Sequence, residues 1–519
     1  MFFMKMGWLS LNSGLVASAN SVVIVWLLGG IVILILIHWR NQIKEFFVFQ
    51  KKIRNCGLRA VPGIPLLGNS LEFRDSDKTI FTLAKMSQQM ESGTFTVWFG
   101  PMMKVVVTDP RDYEIIMSSP KAAEKDIVYK FMEPVVVNGL INGGGPTYRA
   151  HKKLVVPLIN GGNSITEHIK QFNIQTKRMI AKMENLLGGG EFNIHDIIVP
   201  CVADIVSETI FGIPGNAQDG GENVLMEVSE PLLHILYKRM MNIWLWPWPI
   251  FVRTSLGREF KDMSSAIHKF LNSVITKKRQ EFLKMERDGV QVDLSTRPVF
   301  DQIMAHIMKT NAWSDQDCRS ELFTLFVGSH DTIAGVSCFV ALMLAMFPEV
   351  QKKARDEIRE VVGNRDLTEE DTINLKWMDA VVRETIRLFP VGPLLARQMT
   401  GDLKLATCTL PKGASVFLLP FATHRDPKHW KEPNKFMPER FFGESAKNRH
   451  MWAFVPFSGG VRSCPGSKYG TISIKIIISH IIRNYELSTT NKYDTMDMHA
   501  HISTRCPAGY NISITKVKD

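Results

Sequence analysis

From residue 6 to residue 37 the chain carries no charged side chain, and Val22 to Ile37 is almost wholly Val, Ile, Leu, Trp and Gly. With its flank this run supplies the ~20 apolar residues that a bilayer crossing requires. It exceeds the roughly 7 to 15 apolar residues of a cleaved leader, and it ends at His38-Trp39-Arg40 rather than at small residues. Lys44, Lys51, Lys52, Arg54 and Arg59 follow against one acid, Glu45, whereas only Lys5 precedes the run. The positive-inside rule then leaves everything after residue 40 in the cytosol. The expected organisation is a signal anchor in residues 1–40 with a span at about 17–37, a basic and Pro-rich hinge over 41–66, and a cytosolic unit over 67–519. Val61-Pro62-Gly63-Ile64-Pro65 stiffens the hinge, because proline fixes φ and stops a helix.

Further along, alternation over Thr94 to Phe99 and Met102 to Val107, folded back at Gly100-Pro101, predicts a strand pair. Thr108-Asp109-Pro110 supplies a capping residue and a first-turn proline for a short helix. Helical periodicity dominates residues 165–390. The glycine runs at 143–145, 188–190 and 220–221 read as loops, since none has the spacing of a phosphate-binding turn. Ser314-Asp315-Gln316-Asp317 is a capping box that opens an apolar helix running to about Phe347. An amphipathic helix from Pro348 to Val362, a short one capped at Thr368, and one from Leu375 to Phe389 follow. Strand-like alternation returns over 403–419 and, after the turn Pro507-Ala508-Gly509, over Tyr510 to Val517. The predicted class is mainly α with a small, separate β portion (α+β).

Composition narrows the function. With 45% hydrophobic and 22% charged residues, the chain is neither a disordered nor a fibrous polymer. Its seven cysteines are sparse and lack C-x-x-C spacing, which excludes a disulfide scaffold and fits a reducing compartment. The net charge of +11 lacks a basic stripe with interleaved aromatics, so nucleic acid is not the partner. Residues 1–60 hold seven Lys or Arg against one acid, so over half of that charge is a topology signal. Among the remaining cations, the patch Arg149, Lys152 and Lys153 suits an acidic protein partner.

One cysteine has informative surroundings: Phe457-Ser458-Gly459-Gly460-Val461-Arg462-Ser463-Cys464-Pro465-Gly466, followed by an apolar helical stretch. The pattern puts Cys464 at a helix N-cap with Pro465 in the first turn, where free N–H groups and the helix dipole favour a thiolate. Gly460 and Gly466 allow the backbone close to a flat ligand, and Arg462 can pair with an acid group on it. This stretch resembles the F-x-x-G-x-R-x-C-x-G haem-binding signature of the cytochrome P450 family. Glu384-Thr385-Ile386-Arg387 is similar to the family's E-x-x-R. Phe436-Met437-Pro438-Glu439-Arg440-Phe441 resembles its P-E-R-F element, which implies a buried network of Glu384, Arg387 and Arg440. The resemblance runs over essentially the whole chain.

The resemblance implies a P450 fold, with non-covalently bound haem b between the long central helix and the Cys464 loop. It makes Cys464 the axial iron ligand, Arg462 and Arg397 the partners of the haem propionates, and Phe457 a neighbour of the sulfur. His424, His429, His499 and His501 lack comparable context and read as surface or packing histidines. Gly328-Ser329-His330-Asp331-Thr332-Ile333 is similar to the family's oxygen-activation motif. It implies that Thr332 orients or donates a proton and that Asp331 connects it to solvent. Ser329 and Ile333 depart from the usual Gly and Thr, which puts the local opening of the helix in doubt. Tyr148-Arg149-Ala150-His151-Lys152 departs from the W-x-x-x-R element, leaving Tyr148 and Lys152 as the matching cofactor contacts. Glu321 to Ile333 resembles the fourth clan, of fatty-acid ω-hydroxylases and insect relatives. Where some of these esterify haem through a Glu, this chain has Gly328, so no covalent haem link is expected.

The implied activity is a microsomal monooxygenase in the endoplasmic reticulum membrane, acting on a hydrophobic small molecule such as a fatty acid, odorant, hormone or xenobiotic. It would draw electrons from NADPH through cytochrome P450 reductase, with cytochrome b5 as a further partner. The aromatic run Ile243 to Phe251 suits a membrane interface beside the substrate entrance. A haem-thiolate isomerase or dehydratase working without reductase, and a non-catalytic haem or hydrophobic-ligand binder, are the competing readings. Asp331-Thr332 argues against the first, while Ser329, Ile333 and Tyr148 leave room for the second.

Overall fold

In the computed structural model the described residues are 29–30, 40, 47–48, 51–53 and 55–517, except 65–66, 91–92, 100–101 and 291. The expected membrane span, 17–37, lies outside them apart from Gly29 and Gly30, as do Pro65 of the hinge and the Gly100-Pro101 turn. Two units separate at Leu58: Met1–Leu58 and Arg59–Asp519. The larger one begins inside the expected hinge, because Arg59–Ala60 is already a strand.

This larger unit is mostly helical. Its six-stranded sheet comprises β1 (Arg59–Ala60), β2 (Thr94–Phe99), β3 (Met102–Val107), β4 (Glu124–Lys125), β5 (Leu395–Gln398) and β6 (Ser415–Leu418) in the spatial order β1-β2-β3-β6-β5-β4. β2 and β3 pair antiparallel with Phe95 opposite Val106, and β6 joins β3 in parallel with Phe417 opposite Val106. Five of the six residues of β2 and of β3 are buried, so the predicted alternation gives way to strands covered on both faces. Residues 403–419 divide into three short strands rather than one. A two-stranded hairpin, β7 (His499–Ala500) and β8 (Thr504–Arg505), precedes the C-terminal strand Asn511–Lys516.

Six helices position the site: α1 (Pro110–Ser118), α2 (Gly145–Asn160), α3 (Val224–Met241), α4 (Asp315–Met346), α5 (Lys376–Leu388) and α6 (Ser467–Asn484). Asp109 caps α1 by accepting from the Arg111 N–H, ahead of Pro110 in the first turn. Gly145, expected in a loop, instead opens α2, and the Glu124 carboxylate accepts its N–H at 2.7 Å. That places a negative charge at the positive end of α2. The capping box at Ser314 starts α4 as predicted, giving a 32-residue helix of about 48 Å. Among the described residues α4 alone is long and apolar enough to cross a membrane, yet most of it is buried within the protein. It packs on the helix His195–Val206 and on α6, whose Gly470 abuts Ile333.

Glu384 on α5 is fully buried and accepts from Arg387 Nε at 2.7 Å and Nη2 at 2.8 Å, from Arg440 Nε at 3.0 Å, and from the Met437 N–H at 2.9 Å. The guanidinium groups spend their remaining N–H donors on carbonyls of the irregular chain. Arg387 holds His424, Pro433 and Lys435, and Arg440 holds Lys431, Glu432 and Lys435. The ladder-free stretch 424–440 is thereby satisfied by side chains instead of a sheet. Glu384→Gln keeps the shape and leaves two buried cations against a neutral amide. It is expected to lower unfolding stability by about 3–5 kcal/mol, read by chemical denaturation.

Candidate active site

The loop before α6 is shaped by residues in the left-handed region. Ser458 has φ 57° and Gly460 φ 59°, and the Cys464 N–H closes the loop by donating to the Phe457 carbonyl at 2.9 Å. Gly460 was expected to admit a flat ligand. Within the protein a glycine is required there too, since a Cβ would lie 2.0 Å from the Met117 carbonyl oxygen on α1. Gly466 does border the sulfur, with the position of a Cβ 4.0 Å from Cys464 Sγ. The helix cap is Gly466, not Cys464, so the thiol sits two residues ahead of the cap of α6 and receives the Gly466 N–H rather than the helix end as a whole.

Cys464 is the exposed member of the free cysteines, although many protein atoms surround its sulfur. Burial raises the thiol pKa, against the pull of the Gly466 N–H and Lys152. The protein's own groups therefore leave it protonated at neutral pH, contrary to the expectation from a helix N-cap. A thiolate here calls for a cationic partner such as a metal ion.

Tyr148 and Lys152, one turn apart on α2, were expected to meet a cofactor, and both bind the cysteine loop. Tyr148 Oη donates to the Ser463 carbonyl at 3.1 Å, and Lys152 Nζ to the same carbonyl at 3.1 Å and to Ser463 Oγ at 2.9 Å. Asn160 adds a bond to the Pro465 carbonyl at 2.7 Å. Between Tyr148 and Lys152 on α2, His151 Nδ1 meets the buried Glu321 at 2.5 Å, tying α2 to α4.

Arg397 on β5 and Arg462 in the loop are buried, and neither has a carboxylate within ion-pair distance among the described residues. Arg397 donates to the Ala396 carbonyl at 3.0 Å. Arg462 donates to the Ala123 carbonyl at 2.7 Å and to Gly143, with its guanidinium 4.0 Å above the Tyr148 ring. Lys125 on β4 completes the group, its Nζ 4.3 Å from the Tyr129 ring centre. Burial and then Arg397 lower Arg462 to about 10, and burial followed by the two arginines takes Lys125 well below its ordinary value. Crowded buried cations without an anion are costly, and the two forked guanidiniums suit a ligand carrying carboxylates. Lys125 was not foreseen, because its Ala-Ala-Glu-Lys-Asp context carries no motif.

On α4, Gly328 is exposed within an otherwise buried stretch, and a Cβ there would meet nothing within 4 Å, so the helix borders open space at this turn. Thr332 Oγ1 donates to the Gly328 carbonyl at 2.7 Å, and Ser329 Oγ to Leu325 at 2.5 Å. The helix runs unbroken through 328–333. His330 is buried, and burial takes it down to about 4, so its ring is neutral at physiological pH. Asp331 was expected to connect Thr332 to solvent. It is buried, accepting from Ser503 Oγ at 2.9 Å and from Arg505 of β8. One residue from Thr332 is about 100° around a helix, which turns the two side chains to different neighbours. Arg505 Nε in turn lies 3.3 Å from Glu230.

The aromatic run near 243–251 presents Trp244, Trp248 and Ile250 at the surface. Arg239 of α3 holds it by donating to the Leu245 and Trp246 carbonyls, both at 3.1 Å, with its guanidinium 4.3 Å from the Phe251 ring.

A family model for cytochrome P450 matches residues 59–510. The chain is 28% identical over 474 residues to cytochrome P450 4V2 of Homo sapiens, covering 88% of this chain and 90% of that protein. It is 28% identical over 516 residues to cytochrome P450 4g1 of Drosophila melanogaster, covering 92% and 91%. Cytochrome P450 4d1 of the same fly is 29% identical over 446 residues, covering 82% and 86%.

Removing Arg505 strands the buried Asp331 carboxylate. Arg505→Met is expected to cost about 3 kcal/mol of stability, and Asp331→Asn in that background is expected to recover part of it. A double-mutant cycle by chemical denaturation should give a coupling of at least about 1 kcal/mol.

Proposed function

The chain belongs to the cytochrome P450 family, a family of haem-thiolate monooxygenases. From that premise we propose that it inserts one oxygen atom of O2 into a hydrophobic small molecule while held by a single span in the endoplasmic reticulum membrane, its catalytic unit in the cytosol. The observation that carries this reading is the pairing of Cys464 with the unneutralised Arg397, Arg462 and Lys125. A sulfur that needs a cation and guanidiniums that need anions together match one ligand, an iron porphyrin with two propionates.

When bound, haem would supply the iron, and a cysteine thiolate on it would supply the electron density that favours O–O cleavage. Cys464 Sγ would ligate it, with the Phe457 carbonyl holding the Cys464 backbone and the Gly466 N–H facing the sulfur. Tyr148 and Lys152 keep the loop at a fixed height by clamping Ser463. Arg397, Arg462 and Lys125 bind the propionates. Gly328 leaves the distal side open, which also removes any side chain able to esterify the cofactor. The Thr332 hydroxyl, its proton engaged by the Gly328 carbonyl, keeps lone pairs for a proton donor at that open side. Asp331 positions this turn through Ser503 and Arg505, and the Asp331–Arg505–Glu230 chain connects it to the half-exposed Glu230.

The exposed Trp244, Trp248 and Ile250 suit contact with lipid, so the substrate is apolar and delivered from the membrane. Electrons come from NADPH through cytochrome P450 reductase, with cytochrome b5 as an additional donor. The exposed Arg149 and Lys153 beside the cysteine loop suit an acidic partner.

Reduced microsomes containing the protein should give the thiolate-type carbon monoxide difference spectrum, and Cys464→Ser should abolish it. Oxidation of an apolar substrate panel should require both NADPH and reductase. A non-thiolate Soret band, or turnover without reductase, would overturn the reading. Arg397→Met should speed loss of haem to a scavenging apoprotein by about 10–100-fold, as loss of a charge-assisted bond of about 1.5–3 kcal/mol implies.

A further inference from the structure

His499-Ala500-His501 was set aside as surface or packing histidines, and the structure gives the pair a different setting. β7 lies against the short turn Ser76–Lys78, near the start of the larger unit, and α3 packs beside both. Ligand atoms of Asp77, His499 and His501 all fall within 4.8 Å of one another. His499 Nδ1 is 3.7 Å from Asp77 Oδ2, and His501 Nε2 is 4.0 Å from Asp77 Oδ1. These separations are too long for hydrogen bonds. They are a few tenths of an ångström wider than the ~3.4 Å between ligand atoms around a tetrahedral ion with bonds of about 2.1 Å.

The surroundings are those of an ion site rather than of a plain charge cluster. His499 turns its other nitrogen, Nε2, to Asp497 at 3.3 Å, and Asp497 is itself held by Lys78 at 2.5 Å. A carboxylate on the far nitrogen of a histidine fixes its tautomer and aims the near nitrogen's lone pair at a metal. Asp77 is oriented in turn, with Ser76 Oγ 3.2 Å from its Oδ1. His234 of α3 stacks on His501 with ring centres 4.0 Å apart, and its Nε2, buried and making no hydrogen bond, points at Asp77 Oδ1 from 3.5 Å. Three imidazoles around one carboxylate favour zinc-like ions over calcium or magnesium, which take oxygen ligands.

We propose that Asp77, His499 and His501 bind one divalent transition-metal ion of the zinc class, with Asp497 and His234 as the outer groups that orient the ligands. A water completes the tetrahedron. The ion fastens β7 to the 76–78 turn. The paired strand of the same hairpin carries Arg505, next to Ser503, and both hold Asp331 on α4. Metal occupancy therefore stiffens the hairpin that fixes Asp331.

The test uses untagged, full-length, haem-loaded protein after chelator treatment, and needs no turnover. Equilibrium dialysis against micromolar free zinc with millimolar magnesium present should give one zinc per chain. The double variant His499→Ala/His501→Ala should lose it, and Asp497→Asn should weaken it by about 10–100-fold with the haem spectrum unchanged. Zinc should also slow amide hydrogen exchange in residues 497–506. No retained zinc, retention by the double variant, or protection confined to other segments would each overturn the proposal. Should the double variant fail to fold, Asp497→Asn decides it, since unchanged affinity there sinks the site as drawn.

Discussion

The rest of the structure depends on a single buried carboxylate. Glu384 sits at zero exposure with two guanidiniums on it, and neither Arg387 nor Arg440 is there chiefly to neutralise it. Each arginine carries five N–H donors, and here the surplus binds carbonyls of residues 424–435, a stretch with neither a helix nor a strand to satisfy its backbone. His424, buried at the start of this stretch, accepts the Val455 N–H at 3.0 Å, so the hold passes directly to the chain that enters the cysteine loop. The ion pair thus acts as a connector between α5 and that loop. Lysine in place of either arginine would keep the charge and lose the fork that makes the connection.

The site itself follows the opposite rule. At Glu384 a carboxylate meets its guanidiniums directly, whereas Arg397, Arg462 and Lys125 are brought together with no carboxylate within ion-pair distance among the described residues. Burial depresses all three, and repulsion from Arg397 adds to it at Arg462 and Lys125, an arrangement that costs stability until an anionic ligand arrives. Cys464 is the complementary case, a thiol whose pKa burial raises until a cation ligates it. Both costs favour the same bound state, which makes the cofactor part of the fold's stability as well as of its chemistry.

Much of this architecture was legible because it is local. The capping boxes at Ser314 and Thr368, the proline start at Pro110 and the strand pair at 94–107 each rest on residues within a few positions of one another. The features that were not legible join distant parts of the chain. Asp331 meets Arg505 across 174 positions, which no periodicity announces. Lys125 becomes a site residue only because β4 pairs with β5 beside Arg397. Gly460 was flagged for close approach, and the approach within the protein is to Met117, far away in sequence. Cys464 was placed two residues too deep in α6 because Pro465 looks like a first-turn proline, while Gly466 takes the cap.

The departures from the family motif become intelligible in the same terms. Ile333, where the motif has a second Thr, is fully buried and packs toward Gly470 of α6, so it faces a helix interface and not the open side of α4. A hydroxyl there would be a buried donor in need of a partner. Ser329 replaces a glycine, yet its proton is spent on the Leu325 and Phe326 carbonyls one turn back, which keeps it from presenting a new donor to the site. Tyr148 stands where a tryptophan is usual, and its hydroxyl reaches the Ser463 carbonyl beside Lys152, sharing a single acceptor. Ser329 is absorbed by the backbone of its own helix, Ile333 by packing on α6, and Tyr148 by the backbone of the cysteine loop. The departures thus bear on how the central helix and the cysteine loop are held.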